Sequence, residues 1–135
     1  MFENSRQGEI MSFNTSIPKN IQSQMETLIE IASGVSNEDQ TADGVERELW
    51  RNLLQMGQQL MQLFFNKREA DEERQRVYEV DGVVYPYRGQ RQRDYVSLFG
   101  EVTVGRAYYW KKGEGGQFPL DEALSLPERC FSDFV

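Results

Sequence analysis

The sequence predicts an α+β fold in which two N-terminal helices pack on a small antiparallel β-meander. Apolar residues recur at helical spacing through the first half of the chain. From Val77 the pattern changes to short runs of β-branched and aromatic residues that are separated by glycine turns. The length of 135 residues and the apolar content of 39% fit one compact domain with a core.

Four segments are predicted along the chain. Residues 1–16 are polar and aperiodic, which predicts a flexible N-terminus. The others are a helical segment over 17–75, an antiparallel β-ribbon segment with a short helix over 76–127, and a tail over 128–135.

The first helix is predicted near residues 18–33. Pro18 suits a first helical turn, and Gly34 suits a stop just past the C-terminal end. A polar linker is predicted to follow over residues 36–44.

The second helix is predicted near residues 44–68, with Asp43 and Glu46 placed as in a capping box. Its apolar residues advance by alternate steps of four and three, which permits a helical dimer seam as well as an ordinary core face. Both interpretations stay open for these candidate partner-binding residues: Leu49, Leu53, Met56, Leu60 and Leu63.

An acidic run follows this helix. A divalent-cation cluster is one interpretation, but a solvated helix end is favoured, because no EF-hand spacing is present. The run consists of Glu69, Asp71, Glu72 and Glu73.

The β-ribbon is predicted to begin with a hairpin around the two-residue turn Asp81-Gly82. A polar, basic connection is predicted over residues 88–94. Two further strands are expected, over 95–98 and 102–110.

A glycine-rich turn over residues 111–116 ends this ribbon. Asp121 is predicted to cap a short helix that runs through Leu126.

Bulk composition excludes several classes of protein. With no histidine and the single cysteine Cys130, zinc sites built from those ligands and Ser-His or Cys-His catalysis are excluded, and neither a metal nor a cofactor is expected. A lone cysteine allows no intrachain disulfide, which favours a cytoplasmic protein. The N-terminus has no apolar run typical of a secretory signal, and no stretch is apolar enough to span a membrane.

The net charge of −7 argues against general nucleic-acid binding, but the charge is unevenly distributed. Residues 85–112 carry six basic and two acidic side chains, a local charge of +4. These residues are interleaved with tyrosines and Trp110, so they could bind phosphates and stack on bases, or they could be ordinary strand-edge charges around core aromatics. The two basic turns could fall on one rim of the meander or on opposite rims. The candidate DNA-binding residues are Arg88, Arg91, Arg93, Arg106, Lys111 and Lys112.

One stretch carries a family resemblance. The motifs that carry the resemblance are SLFGEVTV over residues 97–104, Arg106, the pair Tyr108-Tyr109, and PLDEALSLP over residues 119–127. In this order and spacing they resemble the N-terminal region of bacterial insertion-sequence transposases of the Kra-four and Lre-two types.

The resemblance implies a part of a transposase without its catalytic domain, which in those families lies further along the polypeptide. It implies no enzymatic activity, and a role in transposon-end DNA binding or in assembly with a transposase subunit or with itself. Many members carry a Cys-x-x-Cys pair after the paired tyrosines, but residues 110–118 contain no cysteine. The alternative is a small acidic interaction module that dimerises through the long helix.

Overall fold

The computed structural model of this protein describes residues 16–34 and 40–132. The predicted flexible N-terminus up to residue 15, linker residues 36–39 and tail residues 133–135 lie outside the described residues. The chain forms two compact units, Met1–Leu63 and Phe64–Val135.

Helix α1 spans Ser16–Ser33 and helix α2 spans Ala42–Asp71. Gly34 adopts a φ of 70°, and its N–H donates to the carbonyl of Ile31, so the predicted glycine stop is confirmed.

The predicted cap of α2 was wrong. Thr41 caps the helix, because its Oγ1 accepts a hydrogen bond from the Gly44 N–H at 3.1 Å. Asp43 lies inside the first turn and pairs with Arg47 at 2.9 Å.

In the first unit, the side chain of Gln24 in α1 donates to that of Gln55 in α2 at 2.7 Å. On the predicted partner-binding face, Leu53 and Leu60 are 49% and 47% exposed. Leu49, Met56 and Leu63 are half-buried. The face is therefore partly open to solvent.

The second unit contains a four-stranded sheet in the order β1-β2-β3-β4, and every neighbouring pair is antiparallel. The α+β class is confirmed. After the sheet comes the short helix α3. The strands are β1 (Val77–Val80), β2 (Val83–Ser97), β3 (Gly100–Lys111) and β4 (Gly115–Gln117), and α3 spans Pro119–Ala123.

The hairpin turn at Asp81-Gly82 is confirmed, and both residues have positive φ, at 52° and 79°. The connection predicted over residues 88–94 was wrong, since these residues continue β2 without a break. The second strand of the predicted hairpin and the predicted strand over 95–98 are thus two ends of one long strand.

A β-bulge interrupts the pairing of β2 with β3. Tyr87 pairs with Tyr109, but the next pair is Gln90 with Ala107, so β2 carries one extra residue there. Gly89 lies in the bulge with a φ of 104°, a conformation that side chains rarely adopt.

Tyrosines form the core on one side of the sheet. Tyr85 and Tyr109 are 6% and 2% exposed, and they pack with the fully buried Ala107. The rings of Tyr78 and Tyr87 each lie 5.6 Å from that of Tyr109.

The C-terminal end of α2 is held against the sheet of its own unit. The ring of Phe65 packs edge-on against Tyr95 at 5.4 Å. The Glu69 carboxylate, one turn after Phe65, lies over Gly105. Glu72, just past the end of the helix, accepts a hydrogen bond from the Ala107 N–H at 2.8 Å. The acidic run is therefore only partly the solvated helix end that the sequence favours.

The tail is also partly ordered against the sheet. Val96 donates its N–H to the carbonyl of Cys130 at 2.7 Å, and its carbonyl accepts from the Ser132 N–H at 2.9 Å. This parallel bridge covers the edge of β2 beyond β1.

Glu72 makes stability depend on pH. Burial raises the pKa of its carboxyl above the ordinary 4.5, although the Ala107 N–H opposes the shift. A carboxyl with a raised folded-state pKa favours the folded state when protonated, so its contribution is lost as pH rises through that pKa.

We therefore expect Glu72→Gln, which keeps an acceptor for Ala107, to gain stability relative to the parent as pH rises from about 4 to about 7. Urea denaturation across that pH series measures the difference. A difference that stays constant with pH would contradict the assignment.

Candidate nucleic-acid interface

The side of β2 and β3 opposite the tyrosine core carries a row of cations and aromatic rings. Alternation along β3 places Ala107 and Tyr109 in the core and Arg106, Tyr108 and Trp110 on the other side. Trp110 and Tyr108 are half-buried there.

Two arginines of β2 lie over these rings. The guanidinium carbon of Arg88 is 5.5 Å from the Trp110 ring centroid, and that of Arg91 is 5.3 Å from the Tyr108 centroid. Both are cation–π distances. Arg88 Nε also approaches the Trp110 carbonyl at 3.4 Å.

The bulge explains why both arginines reach one side of the sheet. Residues three apart on a regular strand project from opposite sides, since side chains alternate. The extra residue at Gly89 reverses the alternation of the side chains beyond it. Arg88 and Arg91 therefore project from the same side of the sheet and lie over neighbouring rings. Sequence reasoning did not find this bulge, although an isolated glycine within a strand pattern is its usual signal.

The ring of Tyr108 is held from two further directions. It stacks on Phe118 at 4.8 Å with an interplanar angle of 26°. It also lies directly against Gly116 of β4, where an added Cβ would come within 2.5 Å of the ring. A side chain at residue 116 would therefore displace Tyr108.

The two other predicted arginines have a different environment. Arg106 is only 6% exposed, donates to Asp121 at 3.0 Å, and lies 3.8 Å from the Phe118 ring centroid. Arg93 donates to the other oxygen of Asp121 at 3.3 Å, and to the carbonyls of Pro127 and Arg129, both at 2.9 Å.

The Asp121 carboxylate therefore joins two strands to the chain that follows them. It does not cap α3: the residue before the helix is Phe118, no side-chain cap is formed, and the helix ends at Ala123. The predicted cap was wrong, because Asp121 lies inside the helix and the arginines hold its carboxylate. The predicted extension through Leu126 was also wrong, because Ser125 has a φ of 52°, outside the helical range.

The six predicted DNA-binding residues thus divide into two groups. Arg93 and Arg106 are held by Asp121. Arg88, Arg91, Lys111 and Lys112 are exposed, and none of the four forms an ion pair with another residue in 16–34 or 40–132.

Two lysines follow the Trp110 end of the row. Lys111 comes directly after Trp110, so the alternation places its side chain on the other side of β3, and Lys112 opens the hairpin to β4. Arg88 also lies at this end, so the two basic segments share it. Glu114 in the same hairpin offsets one of the charges.

We name the set Arg88, Arg91, Tyr108, Trp110 and Lys112 the cation–aromatic face; its cations are exposed and its two rings are half-buried. Its two arginines and two rings line an open depression of about 440 Å³. That volume is typical of sites for small ligands or for part of a larger one. The face offers planar surfaces and positive charge, which suit an anionic ligand that has aromatic rings.

No group of three or more metal-ligating side chains occurs in the part of the chain that the structure describes. Among the same residues, none of the helices is long and apolar enough to cross a membrane.

No protein-family model, curated protein or solved structure matches the chain.

The Asp121 ion pairs generate a stability prediction. Asp121→Asn removes the charge that compensates the buried Arg106, so the free energy of unfolding should fall by roughly 3 kcal/mol. The matched control is Asp43→Asn. The side chain of Arg47, the partner of Asp43, is 69% exposed, so the free energy of unfolding should fall by about 0.5 kcal/mol or less.

Urea denaturation followed by Trp110 emission, in a Trp50→Phe background, reports on the unit that contains Asp121. Equal losses in the two variants would show that Asp121 does not hold the arginines in solution.

Proposed function

We propose that this chain is a non-catalytic nucleic-acid-binding fragment that works through the cation–aromatic face. The observation that carries the proposal is the pair Arg88 and Arg91, exposed over aromatic rings without a carboxylate partner. Phosphate groups would supply the missing negative charge, and bases would supply partners for the rings.

The likeness of the stretch from Ser97 to Pro127 to insertion-sequence transposases supports a more specific proposal. In it, the chain contributes to transposon-end binding or transposase assembly in the cytoplasm, and a separate domain performs the chemistry. Within that stretch, the side chains of Arg106 and Asp121 form an ion pair with each other. The role of these two residues is then structural.

The overall acidity of the chain is compatible with this proposal. Charge acts locally when it is screened over about 10 Å at 0.1 M salt. Binding should depend on the few cations of the face, and it should weaken as salt rises because their phosphate contacts release counterions.

The proposal predicts that Arg88→Gln with Arg91→Gln weakens binding of labelled DNA and flattens its salt dependence. Losing two phosphate contacts should reduce the slope of log affinity against log salt by about 1.8 for duplex and about 1.4 for single-stranded DNA. Fluorescence anisotropy across a salt series measures both.

The matched control is Arg47→Gln with Arg51→Gln, which removes the same charge from exposed positions on α2. Its slope should equal that of the parent. The same loss in both double variants would mean that net charge alone matters, and no binding by the parent at low salt would remove the proposal.

A second function is favoured by the exposed apolar residues of α2. Leu53 and Leu60 lie seven residues apart, and Trp50 near them is 64% exposed. This seam would suit pairing with a second copy of the chain.

Sedimentation at tens of micromolar tests this second function. We expect a dimer that Leu53→Asp converts to a folded monomer. If the parent is a monomer and Leu53→Asp unfolds it, the face belongs to the core.

A further inference from the structure

We infer that the cation–aromatic face takes single-stranded nucleic acid, with bases stacked on its rings and guanidinium groups. This inference rests on the proposed function, because it names the ligand class of the same site. It is carried by the spacing of the rings, by the cations over them and by the way the site is held open.

The spacing of the rings matches a nucleic-acid strand. Trp110 and Tyr108 project from the same side of β3, two residues apart, which corresponds to about 6.8 Å along an antiparallel strand. Successive bases in a nucleic-acid strand are about 3.4 Å apart. Two bases of one strand that are two steps apart would therefore match the two rings.

The cations favour a nucleic-acid strand over a neutral aromatic ligand. Arg88 and Arg91 present planar guanidinium groups, which stack on bases as well as binding phosphate. Lys112, in the hairpin that follows β3, adds an exposed positive charge at the Trp110 end of the face. One face thus provides both kinds of contact.

A duplex fits the same face poorly. Base pairs in a duplex present only their edges, and the faces of the bases are covered by their neighbours. No element at this face is a helix that could enter a major groove, because it is built from β2, β3 and the hairpin after them. A duplex can therefore reach the cations but not the rings.

The Tyr108 ring is held in place before any ligand arrives. Phe118 stacks on Tyr108, Gly116 leaves room for its ring, and Arg106 lies over Phe118 from the ion pair with Asp121. A rigid ring loses less conformational freedom on binding, which raises affinity.

The test compares three ligands of equal length on the parent protein at one low salt concentration. They are an oligothymidine strand, a duplex of that strand with its complement, and an abasic strand that has the same backbone charge and no bases. We expect the oligothymidine to bind tightest and the other two to bind more weakly, since neither offers a base face.

A charge-neutral substitution isolates the stacking contact. Trp110→Leu should weaken oligothymidine binding by about 5- to 150-fold and leave duplex binding unchanged. Trp50→Leu, the same change at the exposed tryptophan of α2, is the matched control and should have no effect. Trp110→Phe keeps a ring and should retain most of the affinity, which separates lost stacking from lost folding.

Emission from Trp110 gives an independent readout. The chain has two tryptophans, so Trp50→Phe leaves Trp110 as the sole emitter. A stacked base should quench it on titration with oligothymidine, whereas the abasic strand should not.

The outcomes separate the two proposals. Equal affinity for oligothymidine and the abasic strand, or unchanged Trp110 emission, would overturn the stacking inference and leave phosphate binding in place. Failure of all three ligands to bind would overturn the proposed function as well.

Discussion

The shared carboxylate of Asp121 is the interaction on which the β-ribbon unit depends. Arg106 is almost fully buried, and a guanidinium cannot lose its charge, so a carboxylate must lie beside it. Because Asp121 also binds Arg93, it joins β2, β3 and α3 at one point. Arg93 then reaches the carbonyls of Pro127 and Arg129, which fixes the chain after α3.

This ion-pair network also separates structural cations from available ones. Arg93 and Arg106, which look like the other arginines in the sequence, share this one carboxylate and are largely buried. Arg88 and Arg91, a few residues earlier on β2, have aromatic rings beneath them and no carboxylate beside them. A basic segment of the chain is thus divided by tertiary structure into an internal brace and an external face. Only the external face is suited to a partner.

Sequence patterns predicted the secondary structure well where local chemistry decides it. The glycine stop of α1 and the Asp81-Gly82 hairpin follow from backbone conformations that few residues adopt. The polar stretch over residues 88–94 was misassigned as a connection because its residues have weak strand propensity. Pairing with β3 from Gln90 onward overrides that propensity.

The candidate site was half predictable. Composition identified the basic and aromatic residues between 85 and 112, because charge and aromatic content can be read directly from the sequence. Which of them share a side of the sheet depends on the bulge at Gly89, and which are neutralised depends on Asp121, 15 residues beyond Arg106. Both depend on contacts between residues that are distant in the sequence, and no property of a single residue predicts such contacts.

The most direct test of the account is an NMR titration of the protein, isotopically labelled on all its nitrogens, with an oligothymidine strand at low salt. The account predicts that the Nε–H signals of Arg88 and Arg91 and the indole N–H of Trp110 shift together, while the Nε–H of Arg106 stays fixed on Asp121. Shifts confined to α1 and α2, or an Arg106 signal that moves as far as that of Arg88, would contradict it.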